Sequence, residues 1–199
     1  MDESAKRGIR IVGILGSVRP GNYTAHAMAL VTDEIRRHPD IHLDIVDPAV
    51  LRLPFPGEGG DRPEPVKLRE LVSQATGAIF ATPEYHGSFS SVTKLVIENL
   101  GYPSVLSGKP VALLGVAGGE VGAVKSLEAL ASVCSHVGAL VLPGRVSVAR
   151  IHEVFDAQGR CQDPKIEKRI RSVATHLIDY IRGSICPRIA LEAMVRGGV

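Results

Sequence analysis

The chain is poor in aromatic residues and carries little net charge. It has no Trp, and aromatic residues make up 4% of its 199 positions. Proteins that bind single-stranded nucleic acid stack bases on aromatic side chains, so this composition argues against such a role. The formal net charge at pH 7 is +2, and the basic residues are scattered except at 165–171, where acidic and apolar residues interrupt them. The sequence therefore predicts no nucleic-acid partner.

Cysteines and long apolar runs are also scarce. Cys134, Cys161 and Cys186 are widely spaced and form no Cys-x-x-Cys pair, which predicts free thiols rather than a zinc site or a redox dithiol. The acids and histidines show no metal-ligand spacing, so no metal is expected. No apolar run approaches the roughly 18 residues that span a bilayer, and the N-terminus lacks a signal-peptide core. We expect a soluble, cytoplasmic protein without membrane contacts.

Short apolar runs alternate with amphipathic helical patterns along the chain. Such runs are typical of parallel strands that are covered on both faces. They lie at residues 9–15, 78–81, 111–116 and 139–142, with a weaker run at 42–46. The clearest helical pattern has apolar residues at positions 166, 170, 173, 177 and 181, behind Asp163 as its N-cap. The alternation predicts a doubly wound α/β fold with a five-stranded parallel sheet.

Hydrophobic residues make up 45% of the chain, which suits one sizeable core. We predict a single domain over residues 1–199, with a core at about 8–182 and a tail at 183–199. A loop rich in Pro and Gly at 54–65 exceeds the usual length of a strand-to-helix connection. It is either a mobile flank of the active site or an exposed excursion, and both interpretations stay open.

The first apolar run opens at residues 13–24 into a loop rich in hydroxyl groups and free of acids. The following helix would direct its unpaired N–H groups at an anion, with Arg19 supplying charge. An ordinary turn capped by Asn22 or Thr24 explains the segment about as well when it is taken alone. The loop lacks the patterns Gly-x-x-x-x-Gly-Lys-Ser/Thr and Gly-x-Gly-x-x-Gly. A terminal phosphate monoester, such as that of FMN, fits it better.

Two further loops follow apolar runs, at residues 82–91 and 117–120. In a parallel sheet of strand order 2-1-3-4-5, these loops and the first one meet at the carboxyl edge, where ligands bind. Pro83, Tyr85 and Gly87 offer a fixed chain direction, an aromatic surface and close backbone approach, which suits the edge of a planar ring. The alternative is a simple turn punctuated by Pro and Gly.

The motifs at 16–24 and 82–88, together with Lys94, closely resemble those of the NAD(P)H-dependent FMN reductase family. That family includes flavin reductases and the quinone, chromate and azo-compound reductases of flavodoxin-like fold, and the resemblance covers roughly residues 8–182. It implies a flavodoxin-like three-layer fold, FMN as cofactor, and NADPH or NADH as co-substrate. It also implies a small-molecule electron acceptor and a homodimer or homotetramer with the flavin near a subunit boundary.

The resemblance also implies which residues contact the cofactor. The implied phosphate contacts are Ser17, Arg19, Asn22, Tyr23 and Thr24. The implied contacts with the flavin ring or ribityl chain are Pro83, Glu84, Tyr85, His86, Gly87 and Ser88, with Gly118 near the ring. The sequence departs from the family at Asn22, Thr24 and His86, where the family often has Ser, Asn and Asn. It also lacks the usual Asn and Asp-Trp ending after Lys94, which leaves the partner of Lys94 open.

Because FMN would carry the chemistry, no catalytic side chain is predicted. Among the histidines only His86 lies inside one of the three loops, where it contacts the ring edge, guards access or caps the backbone. We predict an FMN-dependent oxidoreductase that takes hydride from NAD(P)H and reduces a flavin, quinone, chromate or azo acceptor. The alternative is a flavodoxin-like electron carrier or flavin-binding module without turnover, which the modest net charge disfavours. A receiver-type signalling domain is disfavoured because Thr82 stands where Asp is needed.

Overall fold

The computed structural model describes residues 8–58 and 62–197, in which seven strands form one sheet. The strands are β1 (Ile9–Leu15), β2 (Ile41–Val46), β3 (Gly77–Tyr85), β4 (Ser88–Phe89), β5 (Pro110–Val116), β6 (Leu140–Val141) and β7 (Val146–Val148). The helices are α1 (Tyr23–Ile35), α2 (Pro63–Gln74), α3 (Ser91–Glu98), α4 (Val124–His136), α5 (Ile151–Val154), α6 (Pro164–Tyr180) and α7 (Cys186–Gly197). A 3-10 turn spans Pro48–Val50, and a π-helical segment spans Ile181–Ile185.

The parallel part of the sheet confirms the predicted order 2-1-3-4-5. Its order is β2-β1-β3-β5, followed by a last position that two short strands share. β6 pairs with the first half of β5, and β7 pairs with its second half. Pro143 and Gly144 (φ 79°) separate the two halves, since proline cannot donate to a ladder. The predicted five strands thus missed β7 at the last position, and also missed β4, which pairs antiparallel with β3.

Both faces of the sheet are covered, which explains the continuous apolar runs. In β3, Ile79 faces the core beneath α1 and α6, whereas Phe80 faces the core beneath α2, α3 and α4. Both side chains are fully buried. A strand buried on both sides needs apolar residues at every position, so it shows no alternation with polar residues. The three-layer arrangement implied by the family resemblance is confirmed.

Arg171 of α6 ties together the two helices that cover one face. It donates to Asp33 (2.5 Å) and to the carbonyl oxygen of Leu30 (3.3 Å) in α1, and to Glu167 (2.8 Å) one turn back in α6. The hydrogen bond from Arg171 holds the pKa of Asp33 below its ordinary value. This ion-pair group fixes the C-terminal half of α1 against α6.

Two other predicted segments are the loop at 54–65 and the tail at 183–199. The predicted loop 54–65 gives way to α2 at Pro63, with Asn99 donating to the carbonyl oxygen of Pro54 (3.0 Å), and residues 59–61 lie outside the described part. The tail contains α7, whose side chains Leu191 and Met194 are exposed. Among the described residues, no helix combines the length and apolar character needed to cross a membrane. The single domain over the whole chain stays a prediction.

Candidate functional site

Three loops surround a cavity at the carboxyl edge of the sheet. β1 lies between β2 and β3, so the chain leaves β1 and β3 at the point where strand order reverses. The cavity has a volume of about 330 Å³, within the range of small-ligand sites. It is lined by Ser17, Arg19, Pro20, Gly21, Asn22, Tyr23, Thr24, Pro83, Glu84, Tyr85, Val116, Ala117, Gly118, Ile151 and His152. Nine of the predicted contact residues are therefore brought together here.

The first loop is shaped by Asn22, which resolves the choice between the two candidate caps. Its Oδ1 accepts from the backbone N–H of Ala25 (2.8 Å) and its Nδ2 donates to the carbonyl oxygen of Arg19 (2.7 Å). Asn22 is thus the N-cap of α1, and both ends of its amide are engaged within the loop. The first turn of α1 contains no acid, and its first N–H groups have no partner within the helix. The N-terminus of α1 therefore lies beside the cavity and favours the binding of an anion there.

Two hydroxyl side chains line the same end of the cavity. Ser17 and Thr24 are 4% and 1% exposed, respectively. Within residues 8–58 and 62–197, neither hydroxyl donates a hydrogen bond to another group of the chain, although Ser17 Oγ accepts weakly from the backbone N–H of Arg19 (3.5 Å). Buried hydroxyl donors beside a helix N-terminus suit the oxygens of a phosphate.

Aromatic contacts connect the first loop to its neighbours. The guanidinium of Arg19 lies 4.9 Å from the ring centroid of Tyr85, a cation–π contact between the first and second loops. The ring of Tyr23 lies 6.0 Å from that of His26 and 6.4 Å from that of Phe155, which follows α5. Arg19 and Tyr23 therefore line the cavity while packing against neighbouring rings.

The second loop is a two-residue hairpin between β3 and β4. Tyr85 pairs with Ser88, and the two residues between them have positive φ, 51° at His86 and 73° at Gly87. Positive φ at both central residues is the mark of a type I′ turn, for which Asn-Gly is the favoured pair. His86, Gly87 and Ser88 lie beyond the cavity lining. Their contacts with the cofactor stay a prediction.

The side chain of Glu84 stabilises the N-terminus of α4 and not that of α1. Its Oε2 accepts from the backbone N–H of Ser126 (3.0 Å) in the first turn of α4. The residue before that helix, Ala123, provides no side-chain cap. The carboxylate therefore supplies the negative charge that a helix N-terminus favours. Through this bond the second loop is fixed to α4.

The third loop is held open by backbone hydrogen bonds to the segment that follows β7. The N–H groups of Arg150 and Ile151 donate to the carbonyl oxygens of Gly119 (3.1 Å) and Ala117 (3.0 Å). Arg150 adopts the left-handed conformation, with φ 45° and ψ 45°, and its side chain pairs with Glu120. A Cβ added to Gly118 would meet no atom within 4 Å, so the backbone there faces open space. That space suits a ring approaching the main chain.

Six lining residues were not among the predicted contacts: Pro20, Gly21, Val116, Ala117, Ile151 and His152. Of these, only Ile151 and His152 lie outside the predicted loops and the strands that lead into them. His152 was grouped with histidines that have no partner pattern, yet it lines the cavity, and its own contact is with Glu153 at 3.7 Å. Ile151 and His152 follow β7, which the periodicity did not reveal. An earlier sign was available in the apolar Val146 and Val148, which resume the strand after Pro143 and Gly144.

Other candidate chemistry is placed away from the cavity. Cys134 lies on the buried face of α4, and burial raises the pKa of its thiol to about 12, so it stays protonated. Among the described residues, no three His, Cys, Asp or Glu side chains gather in a way that could hold a metal ion. Lys94 pairs with Glu98 one turn further along α3, which answers the open point about its partner. A larger cavity, of about 650 Å³, lies at the opposite, amino edge of the sheet.

Three features define a flavodoxin-like protein with a cofactor site: the order of the sheet, the cavity at the point where that order reverses, and the N-terminus of α1, which favours an anion. The chain belongs to the NADPH-dependent FMN reductase family, whose model matches residues 9–153. The NAD(P)H-dependent FMN reductase PA1204 of Pseudomonas aeruginosa is 30% identical over 182 residues, which cover 87% of this chain and 96% of that protein. The NADPH azoreductase of a Bacillus species is 29% identical over 175 residues, covering 86% and 94% of the two chains.

A solved structure extends the likeness to the fold. FerB, a flavoenzyme NAD(P)H:(acceptor) oxidoreductase from Paracoccus denitrificans, superposes with a TM-score of 0.74 at 20% identity. The match covers 88% of this chain and 98% of FerB. The flavodoxin-like fold, the FMN-dependent oxidoreductase class and FMN as cofactor are therefore confirmed.

Proposed function

We propose that the cavity at the carboxyl edge binds FMN and that the protein uses it to pass electrons from NAD(P)H to a small-molecule acceptor. The observation that carries this proposal is the convergence of an acid-free helix N-terminus, buried hydroxyls and an open glycine wall on one cavity of about 330 Å³. The helix N-terminus and the buried hydroxyls suit the phosphate, and the open glycine wall suits the ring.

The residues present fit the phosphate of FMN. Ser17 and Thr24 can donate from buried hydroxyls, and the first two residues of α1, Tyr23 and Thr24, line the same cavity at the helix N-terminus. In our proposal Asn22 acts indirectly, because its amide already shapes the loop. Arg19 lies on Tyr85 and can supply charge by turning from the ring toward the phosphate.

The second and third loops fit the ring. Pro83, Glu84 and Tyr85 form one wall, with the carboxylate of Glu84 fixed on α4. Gly118 forms the facing wall, where the absence of a side chain leaves room for a flat ligand. In this arrangement the chain binds and orients the cofactor and needs no side chain as a general base. When bound, FMN supplies the redox chemistry by accepting a hydride from NAD(P)H and passing electrons to the acceptor.

The acceptor, location and assembly are parts of the same proposal. A flat conjugated acceptor, such as a quinone, an azo compound or a free flavin, could stack where NAD(P)H had been, in a ping-pong cycle. The azo class is supported by the name of the Bacillus relative. We place the enzyme in the cytoplasm, where NAD(P)H is available, as a homodimer or homotetramer.

The test is a two-step anaerobic titration of the purified protein. FMN is first added and its binding followed by flavin absorbance and fluorescence, and then NADPH or NADH is added in a stopped-flow instrument. Rapid bleaching, with recovery on adding a quinone or an azo dye, is the expected result. Bound flavin that stays oxidised would assign the chain to electron carriers, and failure to bind FMN would overturn the site.

A further inference from the structure

Behind the first two loops lies a buried group of three hydroxyl side chains, Thr82, Ser90 and Thr93, here called the hydroxyl cluster. Their exposed fractions are 0%, 2% and 0%, and none of the three lines the cavity. Thr82 lies in β3, Ser90 follows β4, and Thr93 is in the first turn of α3. A polar group this deeply buried is costly unless it is fully hydrogen-bonded, so its partners matter.

Every hydroxyl hydrogen in the cluster has an acceptor. Thr82 Oγ1 donates to the carbonyl oxygen of Pro83 (3.0 Å), and Ser90 Oγ donates to the carbonyl oxygen of Gly16 (2.5 Å). Thr93 Oγ1 lies within reach of Thr82 Oγ1 (3.2 Å) and of Ser90 Oγ (3.0 Å). The backbone N–H groups of Ser90 and Thr93 donate into the same oxygens, at 3.2 Å and 3.1 Å.

The hydroxyl cluster holds the backbone in place immediately before the first and the second loop. Gly16 precedes Ser17, the first lining residue of the first loop, and Thr82 precedes Pro83, the first lining residue of the second. Gly16 also donates its N–H to Ala81 (2.7 Å). A Cβ on Gly16 would collide with Thr93 Oγ1, so the first loop sits directly against the cluster.

We propose that Ser90 and Thr93 are positioning residues that set the distance between the phosphate end and the ring end of the site. Resting on the proposed function, this inference adds residues that touch neither cofactor nor substrate. Ser90 joins the two loops by a hydrogen bond across 74 positions of sequence, in addition to the contact of Arg19 with Tyr85. Without its hydroxyl, the buried carbonyl of Gly16 loses this hydrogen bond and the first loop is free to shift relative to the second.

A simpler role for Ser90 is to cap α3, since its Oγ accepts from the N–H of Thr93. Asp163 provides a matched control for that role, because it caps α6 by accepting from the N–H groups of Lys165 and Ile166, far along the chain from both loops. Asp163→Ala removes a cap without touching the hydroxyl cluster. Thr93→Val removes a cluster hydroxyl while keeping side-chain shape and leaving the caps of both helices in place.

The first measurement compares the Kd of FMN with that of riboflavin, which lacks the phosphate. If the cluster aligns the phosphate loop with the ring loop, Ser90→Ala weakens FMN about tenfold more than riboflavin, as expected when one charge-assisted contact is misplaced. Thr93→Val shifts the ratio of the two constants in the same direction by a smaller factor. Asp163→Ala lowers thermal stability but leaves the ratio unchanged.

The second measurement uses the protein without flavin, by following hydrogen exchange of the backbone amides at residues 17–24. Exchange is expected to quicken in Ser90→Ala and Thr93→Val and to stay unchanged in Asp163→Ala. Unchanged exchange in both cluster variants overturns the inference, and so does an unchanged ratio of constants when the wild type binds FMN. If the wild type binds neither flavin, the proposed function fails and exchange alone decides the inference. If Ser90→Ala does not fold, Thr93→Val decides.

Discussion

His86 occupies a backbone conformation that a different side chain should suit better. Its φ of 51°, beside Gly87 at 73°, belongs to the left-handed region, where most L residues lose about 1–2 kcal/mol. Asn tolerates this region because its short side chain bonds locally, and Asn-Gly is the favoured pair of a type I′ hairpin. We therefore expect His86→Asn to stabilise the protein by about 0.5–1 kcal/mol.

That free energy converts into a measurable shift. For a chain of 150–250 residues, 1 kcal/mol corresponds to roughly 2–4 °C in Tm, so His86→Asn should raise Tm by about 1–4 °C. Urea unfolding should show a higher midpoint with an unchanged slope, because the surface exposed on unfolding is the same. Calorimetry and urea titration of the ligand-free protein supply both values.

His136→Asn is the matched control. His136 is exposed in the last turn of α4, where its backbone is helical, so the same chemical change should bring no gain. An equal rise in Tm for both variants, or no rise for His86→Asn, would refute the argument from the hairpin. The FMN affinity of His86→Asn should equal that of the wild type because His86 lies beyond the cavity lining. A tenfold loss would instead show that its side chain contacts the cofactor.

Three further perturbations test other links of the structure. Arg19→Ala should weaken FMN by about 1.5–3 kcal/mol, or about 10- to 150-fold in Kd, and riboflavin much less, whereas Arg19→Lys should recover part of the loss; equal Kd values for FMN in all three proteins would remove Arg19 from the phosphate site. Glu84→Gln should lower the free energy of unfolding by about 0.5–1 kcal/mol through the weakened N-terminal charge on α4, measured by urea titration, and an unchanged midpoint would contradict that role. The hydrogen bond from Arg171 lowers the pKa of Asp33, so its stabilisation is present above the unfolded pKa, about 3.9, and is lost as pH falls through the lower folded value. Arg171→Met should therefore differ most from the wild type in urea midpoint at neutral pH and least near pH 2, and a constant difference across that range would exclude the linkage.

Much of the fold could be predicted because its signals are local. Ile79 and Phe80 are adjacent apolar residues that face opposite cores, a pattern that only a strand covered on both sides requires. Asp163 caps α6 as its position before Pro164 predicted, and Asn22 caps α1. The split of the last strand was missed because a piece as short as β7, three residues long, leaves too little periodicity to recognise.

The site was predicted in outline for a different reason. Once the strands are parallel and ordered, the loops after β1, β3 and β5 meet at one edge, so residues such as Ser17, Tyr85 and Gly118 converge. The lining by Ile151 and His152 could not be read from spacing, because it depends on Arg150 turning the chain in the left-handed conformation after β7. The positive φ of His86 likewise depends on the pairing of Tyr85 with Ser88.

The sequence by itself determined the alternation of strands and helices, the Asp163 cap of α6 and the three loops with their family motifs. These features follow from the spacing of apolar residues and from hydrogen bonds within a few residues, and such local signals do not depend on distant parts of the chain. Only the tertiary structure decided that Glu84 caps a helix 42 positions away and that Ser90 bonds to Gly16 across 74. Such bonds form only after the sheet has brought distant segments together and excluded water, so no local pattern specifies them.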